Sequence, residues 1–293
     1  MAPMTFDERF ADVPATQREA LQRFWLDHPY TESLPDGTAW RYIAMGSGRR
    51  LLVLLPHALF PADAWFQLAP ALAREYRLLI PDGYALQQVF RPARITEMLV
   101  QMIEAEGGHS ATLIAHSCGG SPAQWLLHRW PHRVQHMVLC HSPALGPDAP
   151  LPYRGSRTLL RALPAILSEQ RMVDGIAPNL PQKGPWLAFS RAYLGLHVSG
   201  PGRQLLNRAL DAEKLMRVLF RPSPLQQQWP GRLLMITAQN DRFSVGSVAM
   251  YRERYPGAQF SSFDAGAHWT QLLYPDLFTA RVTRFLQESD LAL

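Results

Sequence analysis

Cysteine is nearly absent from this chain. Cys118 and Cys140 are the only two among 293 residues. Two residues build no disulfide framework, and they supply no paired-cysteine spacing for a metal. Clustered basic charge is missing too. The formal net charge is +5, but the arginines are scattered (Arg49-Arg50, Arg91, Arg94, Arg252, Arg254). That pattern excludes nucleic acid as the main partner and permits a mildly anionic substrate. No apolar run approaches membrane-spanning length. Residues Met1 to Phe10 carry no basic patch followed by a long apolar stretch, so no signal peptide is expected and the cytoplasm is the default location. Internal repeats and low-complexity segments are also lacking.

What is present is alternation. Nearly half the residues are apolar, enough for one large α/β domain with an insertion or for two small domains. Residues 1–37 read as an N-terminal extension with a helix over Gln17–Leu26, its Leu21, Phe24 and Trp25 on one side. Strands are predicted at Ala39–Ala44, Leu51–Leu55, Arg77–Ile80, Ala111–Ala115 and Val134–Cys140. Helices are predicted between them at Ala64–Arg74, Ala93–Glu106 and Pro122–Trp130. The alternation stops at His141-Ser142-Pro143. It resumes with strands at Leu233–Thr237 and Ala258–Phe263 and helices at Ser247–Tyr255 and Thr270–Leu286. Such a pattern predicts a mostly parallel sheet covered on both faces. Residues 38–143 and 226–293 form this core. Residues 144–225 read as helices broken by proline and glycine, a cap placed where a strand ends.

Ligands of such sheets bind at the carboxyl ends of the strands. Leu113-Ile114-Ala115-His116-Ser117-Cys118-Gly119-Gly120 holds a serine there, between a buried strand and a helix, flanked by small residues. A turn of this kind lifts the hydroxyl above the sheet edge. Asp241 follows the strand Leu233–Thr237, and His268 follows the strand Ala258–Phe263. A serine hydroxyl attacks only when an imidazole takes its proton, and the imidazole needs a carboxylate to hold its tautomer. Ser117, His268 and Asp241 are therefore the catalytic candidates, with Asp264 as the competing carboxylate. The N–H of Cys118 and that of Leu59 are the expected donors to an oxyanion. His57 and His116 are expected to support the site rather than act as bases. A zinc set of His57, His116 and Cys118 is the rival reading of those three residues. Neither a metal nor a cofactor is expected.

With Leu51–Pro61, Ala111–Gly120, Val134–Pro143, Leu233–Asp241 and Gly266–His268 in place, the chain resembles the α/β-hydrolase superfamily. The resemblance implies an α/β-hydrolase fold, the nucleophile, acid and histidine roles for Ser117, Asp241 and His268, and a cap over 144–225. Some residues depart from the family pattern: Ala115 replaces the first glycine of the elbow, and Ala58 replaces the glycine of the usual His-Gly pair. Val245 also stands where many members have proline. Trp40-Arg41-Tyr42, Leu55-Pro56, Met137-Val138-Leu139-Cys140 and Tyr251–Pro256 resemble maspardin-like proteins. Two functions follow as expectations. One is a serine hydrolase of a small carboxylic ester or thioester with an apolar acyl group, with Trp186 and Phe189 of the cap lining its pocket. The other is a non-catalytic binding or adaptor protein on the same fold. A protein partner or homo-oligomer contact is assigned to the cap or the N-terminal helix.

Overall fold

The computed structural model describes residues 4–32, 37, 39–57, 60–83, 91–146, 171, 173–174, 180–181, 183–198, 214–222 and 228–291. Seven strands form one sheet: β1 (Tyr42–Met45), β2 (Leu51–Leu55), β3 (Arg77–Pro81), β4 (Ala111–His116), β5 (Val134–Cys140), β6 (Leu233–Ala238) and β7 (Gln259–Phe263). Their order is β1-β3-β2-β4-β5-β6-β7. Only β1 runs antiparallel to its neighbour. The chain leaves β2 for β3 on one side and returns to place β4 on the other. The carboxyl ends of β2 and β4 thus flank the point where the winding reverses, the usual crevice of an open α/β sheet.

Both faces of the sheet are buried, and the two-residue period of a strand sorts its side chains between them. Leu52 and Leu54 of β2 join one core, with Leu78, Ile114, Val138 and Ile236. Leu51, Val53 and Leu55 join the other, with Leu79, Leu113, Leu139 and Met235. This two-sided burial explains why β2 reads as an unbroken apolar run. The second face is covered by α4 (Pro92–Ala105), α5 (Gly120–Arg129) and α7 (Val248–Arg254). The first carries α1 (Phe6–Arg9), α2 (Ala15–Asp27), α3 (Ala69–Leu72), α6 (Leu187–Val198), α8 (Thr270–Leu273) and α9 (Pro275–Asp290).

Outside residues 144–225, three elements differ from expectation by more than two residues, two of them through proline. The helix expected at Ala64–Arg74 is a 3-10 turn, Ala62–Trp65, followed by the short α3, which starts around Pro70. A proline lacks the N–H that a helix interior needs and is tolerated at its first turn. The closing helix breaks at Tyr274 and restarts on Pro275. Strand β1 begins at Tyr42 rather than Ala39. Of the helices expected in 144–225, that at 156–163 and most of those at 164–173 and 203–219 lie outside the described residues. Residues 187–198 and 214–219 are helical.

The N-terminal helices pack into the first core. Phe10, Leu21 and Phe24 are buried there, whereas Trp25 is 38% exposed. The Trp25 indole donates to Asp63 Oδ2 at 2.5 Å. Tyr193 of α6 donates its hydroxyl to Asp63 Oδ1, also at 2.5 Å. One carboxylate therefore joins α2, the loop after β2 and α6. Burial pushes that carboxyl up to about 6, against the downward pull of its Tyr193 and Trp25 hydrogen bonds. The folded chain holds this proton more tightly than the unfolded chain does. Its contribution to stability is complete below about pH 4 and is lost as pH rises through about 6. Relative to Asp63→Asn, the parent protein should lose on the order of 3 kcal/mol of stability across that window. Urea unfolding at a series of pH values measures the difference. A difference that does not change with pH would mean that Asp63 keeps its charge throughout.

Candidate active site

Ser117 follows the apolar β4 and opens a 3-10 turn, Ser117–Gly119, that leads into α5. Its backbone is left-handed, with φ +54°. This conformation is costly for a side chain bearing a Cβ and is held only by its surroundings. Gly119 makes the turn possible: a Cβ there would stand 2.5 Å from the Pro56 carbonyl oxygen. At Gly120 a Cβ would strike the Ser142 side chain. Ala115, which takes the place of an elbow glycine, is fully buried in the second core and needs no such freedom.

His268 Nε2 accepts the Ser117 hydroxyl at 2.6 Å. His268 Nδ1–H donates to Asp241 Oδ1 at 3.1 Å. All three side chains are buried. The loop that carries His268 is pinned by the Ala267 N–H, which donates to Asn240 Oδ1 at 2.9 Å. Among the described residues, the non-glycine positions with positive φ are Ser117, His141 and Ala267. Each sits beside this cluster, so the backbone strain is concentrated at one place in the fold.

Asp241 has further donors. Phe243 N–H reaches Oδ1 at 2.9 Å, and Ser244 Oγ reaches Oδ2. His141 Nδ1–H reaches Oδ2 at 2.8 Å. Burial alone would raise this carboxyl; His268 and His141 beside it hold it well below the usual carboxylate range. Asp264, the competing carboxylate, is exposed and accepts from Gln239 Nε2 instead.

His116 lies beneath the histidine loop. Gln271 Nε2–H faces its Nδ1 at 3.2 Å, which leaves its own Nε2–H to donate to the His268 carbonyl at 2.8 Å. Burial keeps this imidazole well below its ordinary value. His57 stands with its ring centroid 6.5 Å from that of His268, 5.4 Å from Phe60 and 5.6 Å from Trp269. Burial pushes it down to about 3, so it is neutral at physiological pH. Among the described residues, the groups drawn within ligand distance of one another are His141, Asp241 and His268. They are not His57, His116 and Cys118, and the hydrogen bonds just described already engage them. Leu59 and Ala58 lie outside the described residues. Cys118 is half-buried at the start of the turn.

Phe189 does not line this cleft. It is fully buried, with ring centroids 5.6 Å from Phe10 and 5.1 Å from Phe66. Its helical stripe runs through Tyr193 to His197, and His197 meets Phe60 at 5.2 Å. The end of α6 near the cleft is therefore its carboxyl end. Trp186, at the opposite end, packs on Phe66 and Phe189. The sequence places His141 at the carboxyl end of a strand and assigns it no role there. Its one signal in the sequence is a polar side chain closing an apolar strand, at the edge that bears Ser117.

The model of the alpha/beta hydrolase fold matches residues 52–275. A 2-hydroxymuconate semialdehyde hydrolase of Pseudomonas sp. (strain CF600) is 25% identical over 244 residues, covering 78% of this chain and 82% of its own. A meta-cleavage product hydrolase from Pseudomonas fluorescens IP01 superposes with a TM-score of 0.67 at 20% identity, covering 89% of this chain and 98% of its own. A thermophilic esterase from Thermogutta terrifontis gives 0.68 at 15% identity, covering 89% and 98%. No helix among the described residues is long and apolar enough to cross a membrane.

Proposed function

The chain belongs to the alpha/beta hydrolase fold family, and on that footing we propose that it is a serine hydrolase of small carboxylic esters or thioesters, working through an acyl-enzyme on Ser117. The observation that carries this reading is the unbroken hydrogen-bond chain from Ser117 Oγ through His268 to Asp241. In the proposed reaction Ser117 attacks the carbonyl carbon as its proton passes to His268 Nε2. The imidazolium is stabilised by Asp241 and returns the proton to the leaving alcohol or thiol. Water, deprotonated by the same histidine, then cleaves the acyl-enzyme and restores the hydroxyl. The backbone N–H of Cys118, at the start of the turn, and that of Leu59 are the donors proposed for the oxyanion.

An apolar acyl group is supported by Phe243, which is only half-buried and meets the His268 ring edge-on at 4.9 Å; Phe60 and Trp269, 5.2 Å apart, are fully buried in the first core behind it. Residues 144–225 are proposed as the cap that closes over this group. A second reading rests on the 2-hydroxymuconate semialdehyde hydrolase relative: the carbonyl attacked belongs to a 2-hydroxymuconate semialdehyde rather than an ester. The non-catalytic alternative has less support, because a degraded site would not need the strained Ser117 backbone.

Two measurements test the proposal. A fluorophosphonate probe should label the folded protein at Ser117. Esters of two to twelve acyl carbons should show kcat/KM rising with chain length, by about 1 kcal/mol of transition-state binding for each methylene that fits. Labelling together with turnover of 2-hydroxymuconate semialdehyde but not esters would favour the second reading. Neither labelling nor turnover in folded protein would leave the binding-protein reading standing.

A further inference from the structure

We propose that His141 is a positioning residue of the hydrolytic site: held by the Thr270 hydroxyl, it locks the Asp241 carboxylate so that Oδ1 always faces His268. This inference rests on the reading of Ser117, His268 and Asp241 as the reacting set.

The two oxygens of Asp241 have separate partners. Oδ1 takes His268 Nδ1–H and the Phe243 N–H. Oδ2 takes His141 Nδ1–H and the Ser244 hydroxyl. A carboxylate held at one oxygen only can turn about its Cβ–Cγ bond. Held at both, it cannot, and the hydrogen bond to His268 keeps one geometry through the proton transfers.

His141 is itself fixed at both ring nitrogens and at its backbone. Its Nε2 lies 2.8 Å from Thr270 Oγ1. With Nδ1–H committed to Asp241, the Thr270 hydroxyl is the donor and Nε2 the acceptor. Thr270 opens α8, two residues after His268, so the relay closes back on the histidine loop. The His141 N–H donates to the Ile236 carbonyl at 2.8 Å, tying it to the strand from which Asp241 emerges. The side chain is wholly buried. Its φ of +53° is a conformation that asparagine and glycine adopt at less cost. Packing alone does not call for a left-handed histidine with both ring nitrogens engaged.

The chemistry also requires His141 to be neutral. A second proton on it would cancel the charge of Asp241, and the imidazolium formed at His268 would lose its partner. Burial favours the neutral ring, and the Thr270 donor at Nε2 leaves that nitrogen unprotonated. His141 thus supplies one hydrogen bond to Asp241 and no charge.

The test uses three variants of the full chain. Asparagine places an amide N–H near the position of Nδ1 and tolerates the left-handed backbone. Alanine removes the donor. Thr270→Val keeps the shape of the threonine and removes the hydroxyl that fixes the tautomer. His141→Ala should lower kcat about 10- to 100-fold, the range seen when a group orienting a site ligand from behind is removed, with KM little changed. His141→Asn should recover most of the loss, and Thr270→Val should fall between. The low-field proton resonance of His268 Nδ1–H should be displaced in His141→Ala and restored in His141→Asn. That resonance does not depend on ester turnover. If the parent protein neither turns over esters nor labels, the functional reading fails while the resonance still judges the lock. If His141→Ala does not fold, the Asn and Val variants carry the test. Unchanged kcat and resonance in the folded variants would overturn the proposal. So would a loss confined to KM, or equal losses for Asn and Ala.

Discussion

Ser117→Ala should reduce ester turnover by about 10³-fold or more, because it removes the atom proposed to form the covalent bond. Fold and cleft should survive, since the variant loses one hydroxyl and keeps the Cβ. The left-handed backbone of Ser117 sharpens the experiment. Alanine at φ +54° is as strained as serine, whereas glycine is not. Ser117→Gly should be equally inactive but more stable than Ser117→Ala, by up to about 1 kcal/mol after allowing for the greater freedom of glycine in the unfolded chain. Stability from urea unfolding, beside p-nitrophenyl ester kinetics, reads both effects. Residual turnover near the parent level in folded Ser117→Ala would remove Ser117 from the reaction. Equal stability of the two variants would mean that the turn is not strained.

That strain explains why the elbow is legible in a bare sequence. An apolar strand, a serine and two glycines are what a sharp strand-to-helix turn needs. The glycines meet the Pro56 carbonyl and the Ser142 side chain, where no Cβ fits. Asp241 and His268 were legible for a different reason: each follows a recognisable strand, and parallel strands deliver their ends to one edge. Contacts made across the fold left weaker traces. Nothing local marks Asp63 as the acceptor for Trp25 and Tyr193, which stand 38 and 130 positions away. Phe189 was expected in the cleft because an aromatic on a cap helix suits an apolar ligand. Its face of α6 is taken instead by Phe10 and Phe66, partners that periodicity cannot name. The role of His141 depends on a carboxylate 100 residues away, so its sequence position hints at the sheet edge and no further.

Asp241→Asn should lower kcat by about 10²- to 10⁴-fold, or 3–5 kcal/mol of transition-state stabilisation, while Asp264→Asn should leave it nearly unchanged. The donors around the carboxylate decide how the amide sits. At the Oδ1 position it would meet the Phe243 N–H, which cannot reorient. At the Oδ2 position it would meet the Ser244 hydroxyl, which rotates, and His141, whose proton can move to Nε2 with Thr270 turning to accept it. The amide oxygen should therefore stay toward His268, and the loss should report the missing charge rather than a wrong His268 tautomer. The charge also contributes to folding. His268 and His141 hold the Asp241 carboxyl below its usual range despite its burial. Its contribution is thus present above the ordinary carboxylate pKa and is lost as pH falls. Asp241→Asn should accordingly narrow its stability deficit against the parent protein as the solution is acidified. Asp264 has an exposed side chain and a partner in Gln239, so it offers the imidazole nothing. Single-turnover kinetics with each variant separates the cases. Equal losses for the two carboxylates would mean that they share the role. A loss confined to Asp264→Asn would place the acid on the wrong loop.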